Sequence, residues 1–197
     1  MVVNYILFNV FINFIVFHRL NTKNDINYPV KKNSLIHAFI ASLGGSLYLT
    51  NLISFQTHTL VVYYSLGYII YDIIIYTLYK EIKVERSITY FHHSLFLIGI
   101  LYYYQEPKIY STLILSEIST IPLNLRWLKK QEGNVKWTKI YSYLFYISFF
   151  VFRVVNCSRI LYIITDLKKK CLISIFSGLN YYWFYLMTKK LIKSLSK

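Results

Sequence analysis

Charge is scarce in this chain. Only 15% of the 197 residues are Asp, Glu, Lys or Arg, against about 25% in an ordinary soluble domain. Acid is scarcer still: 8 Asp and Glu stand beside 22 Lys and Arg, a formal net charge of +14. Glycine (6), proline (3) and cysteine (2) are few as well. Two cysteines support neither a disulfide framework nor a zinc motif. With 56% hydrophobic residues and a mean hydropathy of +0.42, the chain is no disordered basic tail. A soluble nucleic-acid module would gather its cations on one face with exposed aromatics, so the position of the cations decides the class.

They lie between long apolar runs. Seven such runs cover residues 1–17, 35–55, 60–79, 88–104, 109–128, 140–164 and 171–188. All fall within the roughly 17–25 residues that a helix needs to cross the hydrocarbon layer. Of the charged residues, only Asp72, Glu117, Arg126, Arg153 and Arg159 lie inside them. The expected fold is therefore all-α, a polytopic membrane protein with seven transmembrane helices. Fifteen Lys and Arg follow the first, third, fifth and seventh runs, among them Lys23, Lys83 and Lys197, and four lie on the opposite side. Positive residues favour the cytosolic side, which puts the carboxy terminus in the cytosol. The basic charge thus marks topology, and the expected partners are membrane lipids with no nucleic acid. The sequence leaves the oligomeric state open.

The first run lacks a basic leader and a small-residue cleavage site, so it reads as a retained helix. Asn156-Cys157-Ser158 is a formal glycosylation sequon, silent within a span. Tyrosine is abundant at 21 residues, so single tyrosines carry weight only where geometry singles them out.

Ionisable groups at membrane depth are costly and tend to face a bundle interior. Asp72 lies roughly 10 Å from the cytosolic end of the third run at 1.5 Å per residue. Ser65, Tyr68, Tyr76 and Tyr79 fall within about 40° of it on a helical wheel, forming a polar stripe of phenols around a carboxylate. A structural role, Asp72 held by interhelical bonds, is one reading of that stripe. Glu117, Thr120 and Asn124 share a face of the fifth run, where Pro122 frees backbone carbonyls. Arg126, about 180° from Glu117, is expected to snorkel to the interface. Arg153, in the middle of the sixth run, is expected to pair with Glu117, because a buried unpaired charge is expensive. His37, His92 and His93 lie at shallow cytosolic depth. Adjacent histidines point about 100° apart, so His92 and His93 do not suit one metal ion, and no metal site is expected. A histidine beside a carboxylate suits general-base work. Plain structural hydrogen bonding is the other reading of the same residues.

Several strings together resemble the TLC domain family: Gly67-Tyr68-Ile69-Ile70-Tyr71-Asp72, Phe91-His92-His93, Glu117-Ile118-Ser119-Thr120 followed by Asn124-Leu125-Arg126-Trp127, Phe152-Arg153, and Asn180 with Trp183. The context of His37 is similar to the start of the family's first domain helix, and the resemblance is nearest to the small TLC domain-containing protein 4 type. It implies three parts: an extra amino-terminal helix and basic loop over 1–31, a TLC domain over 32–190, and a basic cytosolic tail over 191–197. Six helices would form a bundle or barrel around a lipid cavity entered from the cytosol, in the endoplasmic reticulum or another endomembrane.

In ceramide synthases of this family the paired histidines are central to acyl transfer from acyl-CoA to a sphingoid amine, and His92 and His93 match that pair. The synthase pattern continues with a His-Asp and a further Asp in the next helix; this chain has Ser116-Glu117 and Thr120 there. The resemblance therefore implies first a protein that binds or senses lipid and influences membrane lipid composition. In that reading His37, Tyr68, Glu117, Thr120, Asn124 and Arg153 serve as cavity or structural polar groups. The alternative is an acyltransferase with His92 or His93 as base, Asp72 orienting the imidazole, and acyl-CoA as substrate. No cofactor is expected in either. A receptor or chaperone for membrane cargo is a third possibility within the family.

Overall fold

The computed structural model describes residues 2–21, 25–82, 86–102 and 104–195. Met1, Lys23, Lys83, Tyr103 and Lys197, all counted in the sequence reading, lie outside the described residues. Among the described residues the secondary structure is helical, in seven rods that each overlap one of the seven apolar runs. They are α1 (Val2–Leu20), α2 (Asn27–Leu49), α3 (Phe55–Leu78), α4 (Arg86–Ile100), α5 (107–131), α6 (Val135–Ile163) and α7 (Leu167–Leu195). Three of them, α1, α3 and α6, are long and apolar enough to cross a membrane by length and composition.

Local chemistry sets the ends. Ser54 caps α3 by accepting from the Thr57 N–H at 3.2 Å, and Asn134 caps α6 by accepting from the Trp137 N–H at 3.2 Å. Between α5 and α6 the Gly133 N–H bonds the Lys130 carbonyl and the Asn134 N–H bonds the Lys129 carbonyl. That is a Schellman ending, which needs a left-handed residue, and Gly133 supplies it at φ 69°. Arg86 folds back on the end of α3, donating to the carbonyls of Tyr76 at 3.2 Å and Lys80 at 2.6 Å. It answers acceptors that a helix terminus leaves open.

Two rods are irregular. In α5 the stretch Leu115–Ser119 is 3-10 helix between Pro107–Ile114 and Thr120–Gln131. Pro122 has no N–H for the Ile118 carbonyl, so a regular α-helix cannot run through this segment. In α6 the stretch Phe150–Val155 is π-helix.

Each of six rods packs on the next: α2 on α3, α3 on α4, α4 on α7, α7 on α6, α6 on α5, and α5 on α2. α1 packs on α3 and α2. At Gly67 the α1 and α3 backbones nearly touch; a Cβ there would lie 2.6 Å from the Cβ of Asn9, and small residues permit such approaches. The main apolar cluster joins these three helices through Phe17, Val30, Ile69, Tyr71, Ile75 and Tyr76.

Polarity is inverted relative to a soluble bundle. Asn13, His58, Ser65, Ser111, Ser119, Asn124 and Asn180 are buried, while Leu7, Phe8, Phe11, Phe39, Ile147 and Val151 are exposed. Large apolar side chains outside and amides and hydroxyls inside are what a hydrocarbon solvent selects.

Candidate functional site

The six mutually packed rods leave a chamber of about 470 Å³ between them, and each contributes to its wall. α2 supplies Ser34 and His37, α3 supplies Tyr68, Asp72 and Tyr76, and α4 supplies His92, His93 and Phe96. Glu117, Thr120 and Arg126 come from α5, Phe149 and Arg153 from α6, and Trp183, Met187 and Lys190 from α7. α1 contributes no lining residue.

Asp72 is buried on α3 with its two oxygens differently engaged. Tyr68 donates to Oδ1 at 3.4 Å, and His93 Nε2 lies 3.5 Å from Oδ2. His37 stacks flat on Tyr68, with ring centres 4.0 Å apart and planes within 7°. The i, i+4 spacing of Tyr68 and Asp72 puts both on one helix face, and α4 brings His93 to the other side of the carboxylate. This contact holds one nitrogen of His93, while its Nδ1 is buried without a hydrogen-bond partner. Tyr79, expected in the same stripe, instead sits beyond the end of α3 and packs on Phe17 of α1 at 5.8 Å. The helix stops before its phase can carry that ring to the chamber.

His92 is differently placed from its neighbour, stacked on Phe176 at 5.5 Å and edge-on to Trp183 at 5.7 Å. The expected 100° divergence of the two histidines is thus realised as one ring beside a carboxylate and one among aromatics. Among the described residues no group of three His, Cys, Asp or Glu could hold a metal ion.

On the other side of the chamber, Arg153 and Glu117 approach within 3.8 Å. That distance is an ion pair, too long for a hydrogen bond. The hydrogen bonds of Arg153 go elsewhere: Nε donates to Ser119 Oγ at 2.7 Å, Nη2 to Thr120 Oγ1 at 3.0 Å and Nη1 to Asn180 Oδ1 at 3.4 Å. The guanidinium also lies over the Phe149 ring, 5.3 Å from its centre. The two irregular segments meet here, since Ser119 closes the 3-10 stretch of α5 and Arg153 lies in the π-helical stretch of α6. Ser119 and Asn180 belong to the strings that resemble the family, but no spacing rule marks them as ligands of a guanidinium.

Two residues of α5 depart from the helical wheel. Arg126 lines the chamber together with Glu117, and its Nε is buried without a partner. The 180° separation from Glu117 assumed regular α-helix. A 3-10 turn advances about 120° per residue instead of 100°, and the segment from Glu117 to Ser119 rotates Arg126 back toward the cavity. Asn124 is outside the chamber lining and donates to Ser34 Oγ at 2.9 Å, tying α5 to α2.

No curated protein and no solved structure matches the chain. A family model, described as the TLC domain, matches residues 2–189. That span covers nearly the whole chain and includes every lining residue named above except Lys190. With apolar helices and an inverted distribution of polar groups, the chain is an integral membrane protein that belongs to the TLC domain family.

Proposed function

We propose that the protein binds or senses a membrane lipid in the chamber and thereby influences membrane lipid composition. All seven rods cross the bilayer in this reading, six closing as a barrel with α1 outside it. The cation-rich side, with the carboxy terminus, faces the cytosol of an endoplasmic reticulum or other endomembrane. The chamber itself carries the reading. Its 470 Å³ lies within the roughly 300–1,000 Å³ of small-molecule sites, and it joins an apolar wall to a buried polar one. Phe96, Phe145, Phe149, Leu186 and Met187 suit an acyl chain, while Asp72, His93, Glu117 and Arg153 suit a polar head.

One observation favours an acyltransferase as the second reading: the contact of His93 with Asp72. If Nε2–H points to the carboxylate, Nδ1 is free to act as base. It would take the proton of an alcohol or amine as that atom bonds to the carbonyl of an acyl-CoA. The C–S bond then breaks, and the thiolate leaves with the proton that His93 had taken, which restores the neutral imidazole. His92, held by Phe176 and Trp183, is the less suited of the pair.

The test compares cells expressing the wild type with cells expressing His92→Ala/His93→Ala at matched levels, together with mass spectrometry of lipid that copurifies with each. Lipid on both proteins and the same cellular lipid change from both supports binding. A double variant that still carries lipid but no longer alters cellular lipid favours the transferase. Wild-type protein that carries no lipid would sink the binding reading.

A further inference from the structure

Beside the chamber, a second pocket of about 250 Å³ lies between the start of α2 and the end of α5. Lys31, Leu123, Asn124, Arg126, Trp127 and Lys130 line it, three cations and no acid. Among the described residues none of the three cations forms an ion pair. Asp72 attracts Lys31 from beyond ion-pair distance, but it is engaged by His93 and Tyr68. Arg126 bridges the two spaces, lining both, with its Nε buried and unpartnered.

Three like charges around one small space repel each other; Lys130 is exposed, but Lys31 and Arg126 are partly buried, and holding charge partly out of water is costly unless an anion lies among the cations. Arg and Lys side chains lining one pocket offer donors that suit the several oxygens of a phosphate. Basic pockets between membrane helices on the cytosolic side are where lipid headgroups bind. Trp127 and Leu123 give the pocket an apolar wall, and tryptophan favours the level of the headgroups.

We propose that this pocket binds a phosphate group, carried by a phospholipid headgroup or by a soluble phosphate ester. The inference rests on the membrane-embedded reading above and is independent of what occupies the chamber.

The full chain, purified in neutral detergent, is titrated with three probes while its thermal unfolding is followed. These are phosphatidic acid, diacylglycerol with the same acyl chains, and glycerol 3-phosphate. Phosphatidic acid stabilises the protein and diacylglycerol does not. Stabilisation by glycerol 3-phosphate as well assigns the site to the phosphate ester itself, and its absence assigns it to the lipid. Lys31→Gln/Lys130→Gln weakens apparent affinity by about tenfold or more, the scale of losing charge-assisted bonds. Lys31→Arg/Lys130→Arg keeps it, and so does Lys136→Gln/Lys139→Gln, which removes two exposed cations elsewhere.

Equal stabilisation by diacylglycerol, or equal weakening in both glutamine doubles, overturns the proposal. A Lys31→Gln/Lys130→Gln protein that binds phosphatidic acid like wild type also overturns it, while copurified chamber lipid leaves the proposed function standing. A normal phosphate response in protein without copurified lipid does the reverse.

Discussion

Replacing Arg153 by methionine should be among the most damaging single changes in the chain. Arg153 is only 6% exposed, and its guanidinium holds α6 to α5 through Ser119 and Thr120, and to α7 through Asn180. Glu117, 3.8 Å away, acts as countercharge. At that separation and an effective dielectric near 20, the gross attraction is about 4 kcal/mol. Losing one partner of a buried pair costs about 3–5 kcal/mol, because the other charge is left unpaired. At roughly 2–4 °C per kcal/mol for a chain of this size, Arg153→Met or Glu117→Leu lowers the unfolding midpoint by about 6–20 °C. Ser119→Ala removes one charge-assisted bond and costs less, about 1.5–3 kcal/mol. The decisive variant is Glu117→Leu/Arg153→Met, which leaves no stranded charge and should lose less than the two single changes summed. The assay is thermal unfolding of detergent-purified protein followed by intrinsic fluorescence, with expression level as a second readout. Exchanging the charges, Glu117→Arg/Arg153→Glu, should recover part of the expression lost in the singles. A double variant that loses the full sum, with no recovery on exchange, would show that the two groups do not interact.

Two further outcomes follow from packing and topology. Gly67→Ala places a Cβ 2.6 Å from Asn9 and 3.1 Å from the Ile6 carbonyl, so α1 must shift off α3 at a cost of about 1–3 kcal/mol; Gly178→Ala, with open space around it, is neutral or gains up to about 1 kcal/mol, and equal melting of the two variants would sink the close-contact argument. A membrane-impermeant maleimide should label exposed Cys171 from the exoplasmic side only and reach buried Cys157 only after denaturation; cytosolic labelling of Cys171 would reverse the proposed orientation.

The positions of the helices were legible because hydrocarbon-compatible runs and charged connectors alternate along the chain. Their ends were less so. α2 starts at Asn27, eight residues before its apolar run, because Pro29 fits a first helical turn and the basic turn of Lys31 and Lys32 stays helical. Hydropathy reports where a helix meets lipid, and is silent about where the helix itself stops. α4 ends at Ile100 for a related reason, giving way to turns at Leu101 and Tyr102 although the tyrosine-rich sequence stays apolar.

Within the site, legibility followed charge. Asp72, Glu117, Arg153, His37, His92 and His93 stood out because an ionisable group in an apolar run needs a reason, and the structure brings all of them to one chamber. Ser119 and Asn180 did not, although they hold Arg153 as closely as Glu117 does. Serine and asparagine are tolerated in many membrane helices, so their presence alone identifies nothing. The face of Arg126 was misread for a different reason. Assigning it to a face required a constant 100° per residue, and the 3-10 segment broke that phase by about 40–60°. Pro122 was the available warning, because a proline three turns into an apolar run disturbs the helix before it. Applied consistently, that warning forbids carrying any helical face across residues 115–122, and it removes the ground for setting Arg126 opposite Glu117, leaving it free to form a shared wall of the chamber and the cationic pocket.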